Sequence, residues 1–233
     1  EQLFGVVTLD SFGSFTRAEV AAAGSLVDYI ELTQKGKLPR LNRPERIAVG
    51  SVMENDNSTR RNLELTRTLS GEHEGSLLSV MDKTITGAGA RMLATRLSEP
   101  LTNFERINDR LDAVDALADA DRLRENVRAV LRKCPDMVRA LSRLTLARGG
   151  PRDLAAVRDG LICAHDVRDL LQAVSGEGLT TQVPDLLAAN TDDLGYHNVL
   201  IDLLCAALEE DLPLNVRDGG FIARTYSNEL DEL

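Results

Sequence analysis

Apolar residues spaced for α-helices dominate this chain from Ser76 to about residue 210. Ile107, Leu111, Val114 and Ala118, for example, fall at i, i+4, i+7 and i+11, on one face of a helix. With five Phe, three Tyr and no Trp, the core must be filled mainly by Leu, Val, Ile and Ala. Since Leu and Ala are good helix formers, the sequence predicts an all-α core over residues 76–210.

Short apolar runs outside this core leave room for minor β segments. Ile47 to Met53 and Leu63 to Leu69 are each a possible strand. We therefore expect an all-α helical bundle with short β segments near residues 45–70 and 214–225. A strand end within residues 1–10 is also possible.

Several helix boundaries carry recognisable signals. Thr16 with Glu19, and Thr102 with Glu105, have the spacing of a capping box, so each pair predicts a helix start. Asp136 is suited to cap a later helix.

Proline and glycine mark further boundaries. Pro151 suits a first helical turn. Residues 35–44, with two prolines and a glycine, read as an extended linker.

Charge argues against direct binding to a nucleic acid. The chain has 27 Lys and Arg against 37 Asp and Glu, a net charge of −10. Binding the phosphate backbone of a nucleic acid requires clustered Lys and Arg side chains. Arg60 and Arg61 are flanked by Asp56 and Glu64, which predicts internal ion pairs.

The sequence offers no constellation from which an active site can be built. It lacks a P-loop, and the two glycines of residues 86–91 (TGAGAR) fit a helix junction better than a phosphate loop. The three histidines are too far apart in sequence to suggest metal binding. Acidic clusters at 109–115 and 209–211 are interpreted as solvated helix surface. We therefore predict no catalytic, cofactor-binding or metal residues, and no binding or hydrolysis of ATP by this chain alone.

Three cysteines, Cys134, Cys163 and Cys205, lie in helical apolar patterns, so we expect reduced, buried thiols of a cytoplasmic protein. We find neither a signal-peptide pattern nor an apolar stretch of membrane-spanning length. The chain starts at Glu1 and ends in what reads as a helix beginning, which suggests a fragment.

Residues 56–101 (DNSTRRNLELTRTLSGEHEGSLLSVMDKTITGAGARMLATRLSEPL) resemble the core, or lever, domain III of bacterial DNA mismatch-repair MutS proteins. Residues 21–41, 149–159 and 217–233 resemble further segments of that family in the same order. Two positions depart from the family pattern: Asn55 replaces a usual apolar residue and Arg96 a frequent Trp. These departures put local packing in doubt, and not the family.

The resemblance implies a domain organisation and a role. Residues 1–44 would be the end of a connector domain and a linker. Residues 45–233 would be the lever domain, stopping where a DNA clamp is inserted. The role implied is non-catalytic, coupling ATPase state to clamp closure in mismatch recognition.

For the parent protein, the resemblance implies a homodimer that binds mismatched DNA, ATP and Mg, and a MutL-type repair partner. The mismatch-reading and ATPase domains would lie outside this chain. The alternative function is an unrelated helical protein-interaction scaffold.

Overall fold

The computed structural model describes residues 13–36, 38–39, 41–45, 50–177, 183–227 and 229, without the side chains of residues 174–177. Within these residues the chain forms ten α-helices and no sheet, so the all-α prediction is confirmed. The helices are α1 Arg17–Thr33, α2 Asn57–Asn62, α3 Leu77–Met81, α4 Gly87–Ser98, α5 Phe104–Asp119, α6 Asp121–Leu131, α7 Met137–Thr145, α8 Pro151–Glu177, α9 Asp185–Asp193 and α10 Asn198–Ala207.

Pairing of extended segments is limited to two isolated antiparallel bridges in the described part of the chain. They join Val52 to Leu101 and Leu208 to Ile222. Val52 and Ile222 lie where β segments are predicted, whereas their partners lie outside those segments. The possible strand 63–69 is wrong: it forms turns after α2. Residues 1–12 and 46–49 lie outside the described residues.

The capping signals have mixed outcomes. The Thr16 capping box is confirmed, with the Glu19 N–H 3.2 Å from Thr16 Oγ1 and the Thr16 N–H 2.6 Å from Glu19 Oε2. The box at Thr102 is wrong, because Asn103 caps α5 and accepts from the Arg106 N–H at 2.9 Å. The Thr102 hydroxyl instead donates to the carbonyl of Gly50, beside the Val52 bridge.

Helix α8 is the axis of the core. Its 27 residues extend over about 40 Å at 1.5 Å per residue. Pro151 opens α8 as predicted, and α6, α7, α9 and α10 all pack against it. The buried core consists of Ala140, Ala155, Val157, Leu161, Leu204 and Leu208, flanked by Met137, Leu144, Leu154, Ala156, Ile201 and Leu212.

Helix α10 buries only some of its apolar residues. Leu204, Ala207 and Leu208 are buried, but Leu200 and Leu203 are exposed. The reason is that α10 meets the core along a narrow stripe, which Ile201 completes. On α5, Leu111 and Val114 are exposed in the same way, and so are Val138 and Leu141 on α7.

The three thiols are free but differ in burial. Cys163 is buried, Cys134 is half-buried and Cys205 is exposed. The prediction of burial is therefore wrong for Cys205, which lies on α10 away from its buried stripe. Among the described helices, none combines the length and apolar character needed to span a membrane.

Candidate functional site

Three polar joints hold the helices of the core together, and they are the candidate functional site. Each joint is centred on one ionised side chain that binds groups from a second helix or turn. The joints lie at Asp136, at Asp153 and at Arg168.

The first joint connects α4 to α7 through Asp136. As predicted, Asp136 caps α7, with its Oδ1 3.3 Å from the Arg139 N–H. The same carboxylate accepts two hydrogen bonds from Arg91 of α4, at 2.9 and 3.0 Å. Because Arg91 donates to the carboxylate, the pKa of Asp136 lies below its usual value and the pKa of Arg91 above.

Helix α6 adds a second contact near this joint. Both terminal guanidinium nitrogens of Arg128 lie 3.2 Å from the carbonyl oxygen of Lys83, just before α4. Thr86 caps α4, accepting from the Gly89 N–H at 3.0 Å. The two glycines of residues 86–91, interpreted as part of a helix junction, therefore lie in the first turn of α4. A Cβ on Gly87 would lie 3.4 Å from Asp136, so this start lies close to the joint.

The second joint fixes the start of α8 against α7. Asp153, in the first turn of α8, accepts from Arg143 Nε at 2.8 Å and from the Gly150 N–H at 3.0 Å. The Asp153 side chain is 13% exposed. The hydrogen bond from Arg143 lowers the pKa of Asp153, which burial alone would raise. This carboxylate therefore stays ionised and orients the turn into α8.

The third joint holds the α9–α10 turn through Arg168 of α8. This arginine is 1% exposed and donates to the carbonyl of Gly195. Its guanidinium carbon lies 3.6 Å from the centre of the Tyr196 ring, a cation–π arrangement. Gly195 has a φ of +63°, a conformation that favours glycine.

Three arginines form an unbalanced cluster where α4 meets α5. Arg96 lies in the last turn of α4, and Arg106 and Arg110 lie one turn apart on α5. Burial and the charges of the other two arginines lower the pKa of Arg110. Arg96, where the family often has Trp, thus adds like charge to this corner.

The predicted ion pairs of Arg60 and Arg61 are wrong. Arg60 donates to the carbonyl of Asn55 at 3.1 Å and Arg61 to that of Leu69 at 3.5 Å. Asp56 caps α2, and the Glu64 carboxylate accepts from a backbone N–H. Local backbone donors satisfy both carboxylates, leaving the guanidinium groups to bind carbonyls.

Acidic residues of α5 and α9 line an open hollow of about 480 Å³. Asp109, Asp112 and Asp115 line it from α5, and Asp185 lines it from α9. Among the described residues, no group of three or more His, Cys, Asp or Glu is placed to hold a metal ion. Asp109, Asp112, Asp115 and Asp185 are all exposed, so the hollow is a solvated acidic surface. The predicted lack of catalytic and cofactor residues stays a prediction.

The sequence did not predict the contacts that form the three joints. Asp136 could be recognised as a cap, yet its partner Arg91 is 45 residues away. Arg143, Asp153 and Arg168 have no local signal that separates them from other charged residues on helix surfaces.

Comparison with known proteins identifies the family. The family described as MutS domain III matches residues 58–233. The DNA mismatch repair protein MutS of Cereibacter sphaeroides (strain ATCC 17025) is 53% identical over 230 residues, covering 99% of this chain and 25% of that protein. Those of Roseobacter denitrificans (51%; 99% and 25%) and Rhizobium meliloti (49%; 99% and 24%) are similar.

The chain spans about a quarter of the length of these curated relatives. The match removes the alternative of an unrelated helical scaffold, because similarity extends over nearly the whole chain. An ordered set of motifs, the helical fold and the family match agree: the chain belongs to the MutS domain III family.

Proposed function

We propose that this chain is a non-catalytic lever of a DNA mismatch-repair MutS protein, coupling the nucleotide state at one end to clamp closure on DNA at the other. The observation that carries the proposal is α8, an unbroken helix of about 40 Å with helices packed along it. Packed helices of this kind move as rigid bodies.

The joints support a mechanical role. Arg91–Asp136 ties α4 to α7, Arg143–Asp153 ties α7 to α8, and Arg168 ties α8 to the α9–α10 turn. These side-chain contacts would therefore couple a displacement of α4 to a displacement of α10, so that flexible turns between the helices would not absorb the movement. No step of this path requires a reactive group.

The wider role follows from the family. We propose a parent protein that is a homodimer in the cytoplasm, binds mismatched DNA, hydrolyses ATP with Mg and works with a MutL-type partner. The names of the relatives, all DNA mismatch repair protein MutS, support the repair context. ATP and Mg would bind outside this chain.

A chimera tests the lever proposal. The matching quarter of the Cereibacter sphaeroides relative is replaced by this chain, and three quantities are measured: mismatch binding, ATP hydrolysis without DNA, and ATP-triggered release from DNA. We expect Asp136→Asn to keep the first two and to slow release several-fold, because it weakens the α4–α7 tie. Asp112→Asn, an exposed change on α5, is the matched control.

A second variant makes the test decisive. Two glycines inserted after Gly160 interrupt α8 in its middle. If the chimera binds mismatches and hydrolyses ATP while both variants retain wild-type release, the lever proposal is wrong.

A further inference from the structure

The tetrapeptide Val-Arg-Asp-Gly occurs twice in this chain, and the fold places its two copies in opposite surroundings. Residues 157–160 lie inside α8, whereas residues 216–219 form a short 3₁₀ helix and the glycine that ends it. An Asp–Gly bond is especially prone to isomerisation, because glycine has no side chain to obstruct attack by its nitrogen on the preceding carboxyl group. The two copies therefore separate the effect of the fold from that of the local sequence.

The copy inside α8 is held by packing. Gly160 is buried, and a Cβ on it would lie 3.1 Å from Met137 Cβ. The Asp159 carboxylate accepts from Arg158 Nε at 2.8 Å. To bring the Gly160 nitrogen to the Asp159 carboxyl group, the backbone must leave its helical conformation within a 27-residue helix. That movement requires the core to open locally, which is a rare event.

The second copy is exposed and loosely held. Asp218, Gly219 and Gly220 are exposed, and no described atom lies within 4 Å of a Cβ built on either glycine. The Asp218 carboxylate has two long contacts, at 3.3 and 3.4 Å, with the backbone and side-chain nitrogens of Asn215. The Gly219 N–H donates to the carbonyl of Val216 at 3.2 Å, a bond within a three-residue helix. The backbone can therefore turn the Gly219 nitrogen toward Asp218 without disturbing a packed neighbour.

We propose that Asp218 is a modification site that isomerises to isoaspartate through a cyclic succinimide formed with Gly219, whereas Asp159 in the same tetrapeptide is protected by α8. This inference goes beyond the lever role and does not depend on it.

The reaction is balanced with water as the one co-reactant. The backbone nitrogen of Gly219 attacks the side-chain carboxyl carbon of Asp218, and its amide proton leaves with the carboxyl hydroxyl as one water, which leaves a cyclic imide. One water then adds to either carbonyl carbon of the imide. Cleavage at the former side-chain carbon restores aspartate, and cleavage at the former main-chain carbon gives isoaspartate. No electrons are gained or lost, and the product has the mass of the starting chain.

The product changes the backbone where this segment returns to α10. In isoaspartate the main chain runs through the side-chain carbon, so the chain gains one atom and the carboxylate that contacts Asn215 becomes a peptide carbonyl. Just beyond it, the carbonyl of Phe221 accepts from the Glu209 N–H at 3.0 Å. The Ala223 N–H donates to the carbonyl of Ala207, in α10, at 2.9 Å. Isomerisation therefore alters the turn that leads into this pairing.

The experiment ages the whole folded chain at neutral pH and physiological temperature and then cuts it with an arginine-specific protease. This gives the peptides 159–168 and 218–224, each beginning with one of the two aspartates. Chromatography with electron-transfer fragmentation distinguishes aspartate from isoaspartate in each peptide, relative to a sample that is not aged. We expect isoaspartate to accumulate about tenfold or more faster at Asp218 than at Asp159, because only the second site requires α8 to open.

Unfolding and substitution separate the fold from the sequence. In urea the two sites should form isoaspartate at similar rates, since the fold no longer distinguishes them. Asp218→Glu should remove most of the isoaspartate that an isoaspartyl methyltransferase labels in the aged folded chain, because glutamate closes the larger ring slowly. The matched variant Asp159→Glu should leave the labelling unchanged.

The wild-type chain by itself can overturn the proposal. It is wrong if the aged folded chain carries equal amounts of isoaspartate at Asp159 and Asp218, or if Asp218 forms isoaspartate in urea but not in the folded chain. Because both comparisons use the wild-type chain, a variant that fails to fold does not remove the test.

Discussion

The guanidinium of Arg91 and the carboxylate of Asp136 meet at two points, with Nη1–Oδ2 at 2.9 Å and Nη2–Oδ1 at 3.0 Å. The same carboxylate caps α7. One side chain therefore both starts a helix and binds a second helix 45 residues earlier. Asp136 thus fixes the position of α4 relative to the helices that surround α8.

The two tasks of Asp136 can be separated by substitution. Asp136→Asn keeps an oxygen that caps α7 but loses the charge that binds Arg91, whereas Asp136→Ala loses both. We expect the midpoint of urea unfolding to fall in the order wild type, Asn variant, Ala variant. Asp112→Asn serves as control and should match wild type. Equal midpoints for the Asn and Ala variants would contradict a capping role.

The Asp153 joint predicts a pH dependence of stability. The pKa of Asp153 is lower in the folded chain than when unfolded, since Arg143 donates to it. Its contribution to the free energy of unfolding is therefore complete above the unfolded pKa, near 3.8, and is lost as pH falls through the lower folded value.

Urea unfolding at a series of pH values from about 6 to 3 checks this prediction. The wild-type free energy of unfolding should decline at the acid end. Asp153→Asn should start lower and decline less steeply. Asp56, Asp82 and Asp136 also have lowered pKa values, so the variant should keep part of the slope.

Gly160 allows α7 to approach α8, so Gly160→Ala should be destabilising. The added Cβ would lie 3.1 Å from Met137 Cβ, and we expect a loss of about 1–3 kcal/mol in the free energy of unfolding. Gly24→Ala, inside α1 with no atom within 4 Å of the added Cβ, is the control and should cost nothing. The double variant with Gly160→Ala and Met137→Ala should lose less free energy of unfolding than the sum of the two single losses, because the two side chains compete for one space.

Arg168 is a buried cation that holds the α9–α10 turn. Arg168→Ala should lower the free energy of unfolding by about 2–4 kcal/mol, since the carbonyl of Gly195 and the ring of Tyr196 both lose their partner. Tyr196→Phe keeps the ring and should be nearly neutral. Urea unfolding measures both, and a neutral Arg168→Ala would show that the turn is held by other contacts.

The sequence predicted those parts of the fold in which local signals agree with packing. Helix α5 and the start of α8 at Pro151 were predicted, as were the caps Thr16 and Asp136. Helix α2 (NSTRRN) was missed because it has no apolar residue, and α9 (DLLAANTDD) because its four apolar residues are consecutive and show no helical spacing. A polar six-residue helix depends on its cap and its neighbours, which periodicity does not register.

What could not be predicted is which apolar and charged residues find a partner. Val138 and Leu141 have helical spacing but are exposed, whereas Met137 and Ala140 on the same helix pack against the core. That choice depends on where α8 lies. The joint at Arg168 depends in turn on the backbone of Gly195, 27 residues along the chain, which only the assembled helices bring close.

Charge predicts that this chain alone binds duplex DNA weakly and without preference for a mismatch. The net charge of −10 repels a polyanion over a range set by ionic strength. Arg91, Arg128 and Arg143 are engaged by carboxylates or carbonyls, whereas Arg96 lies in a small cluster of cations with Arg106 and Arg110. Because carboxylates outnumber cations along the chain, we expect little counterion release, and the affinity should vanish as salt is raised.

Mismatch preference requires a side chain that wedges or stacks at a weakened base step. The chain has no Trp, and Phe12, a candidate for this task in the sequence, lies outside the described residues. Fluorescence anisotropy at low salt, with a G·T duplex and its matched partner, measures both affinities. We expect equal, weak binding that Arg96→Gln weakens further and Arg122→Gln, on α6, leaves unchanged. Tight binding with several-fold preference for the mismatch would place a recognition surface within this chain.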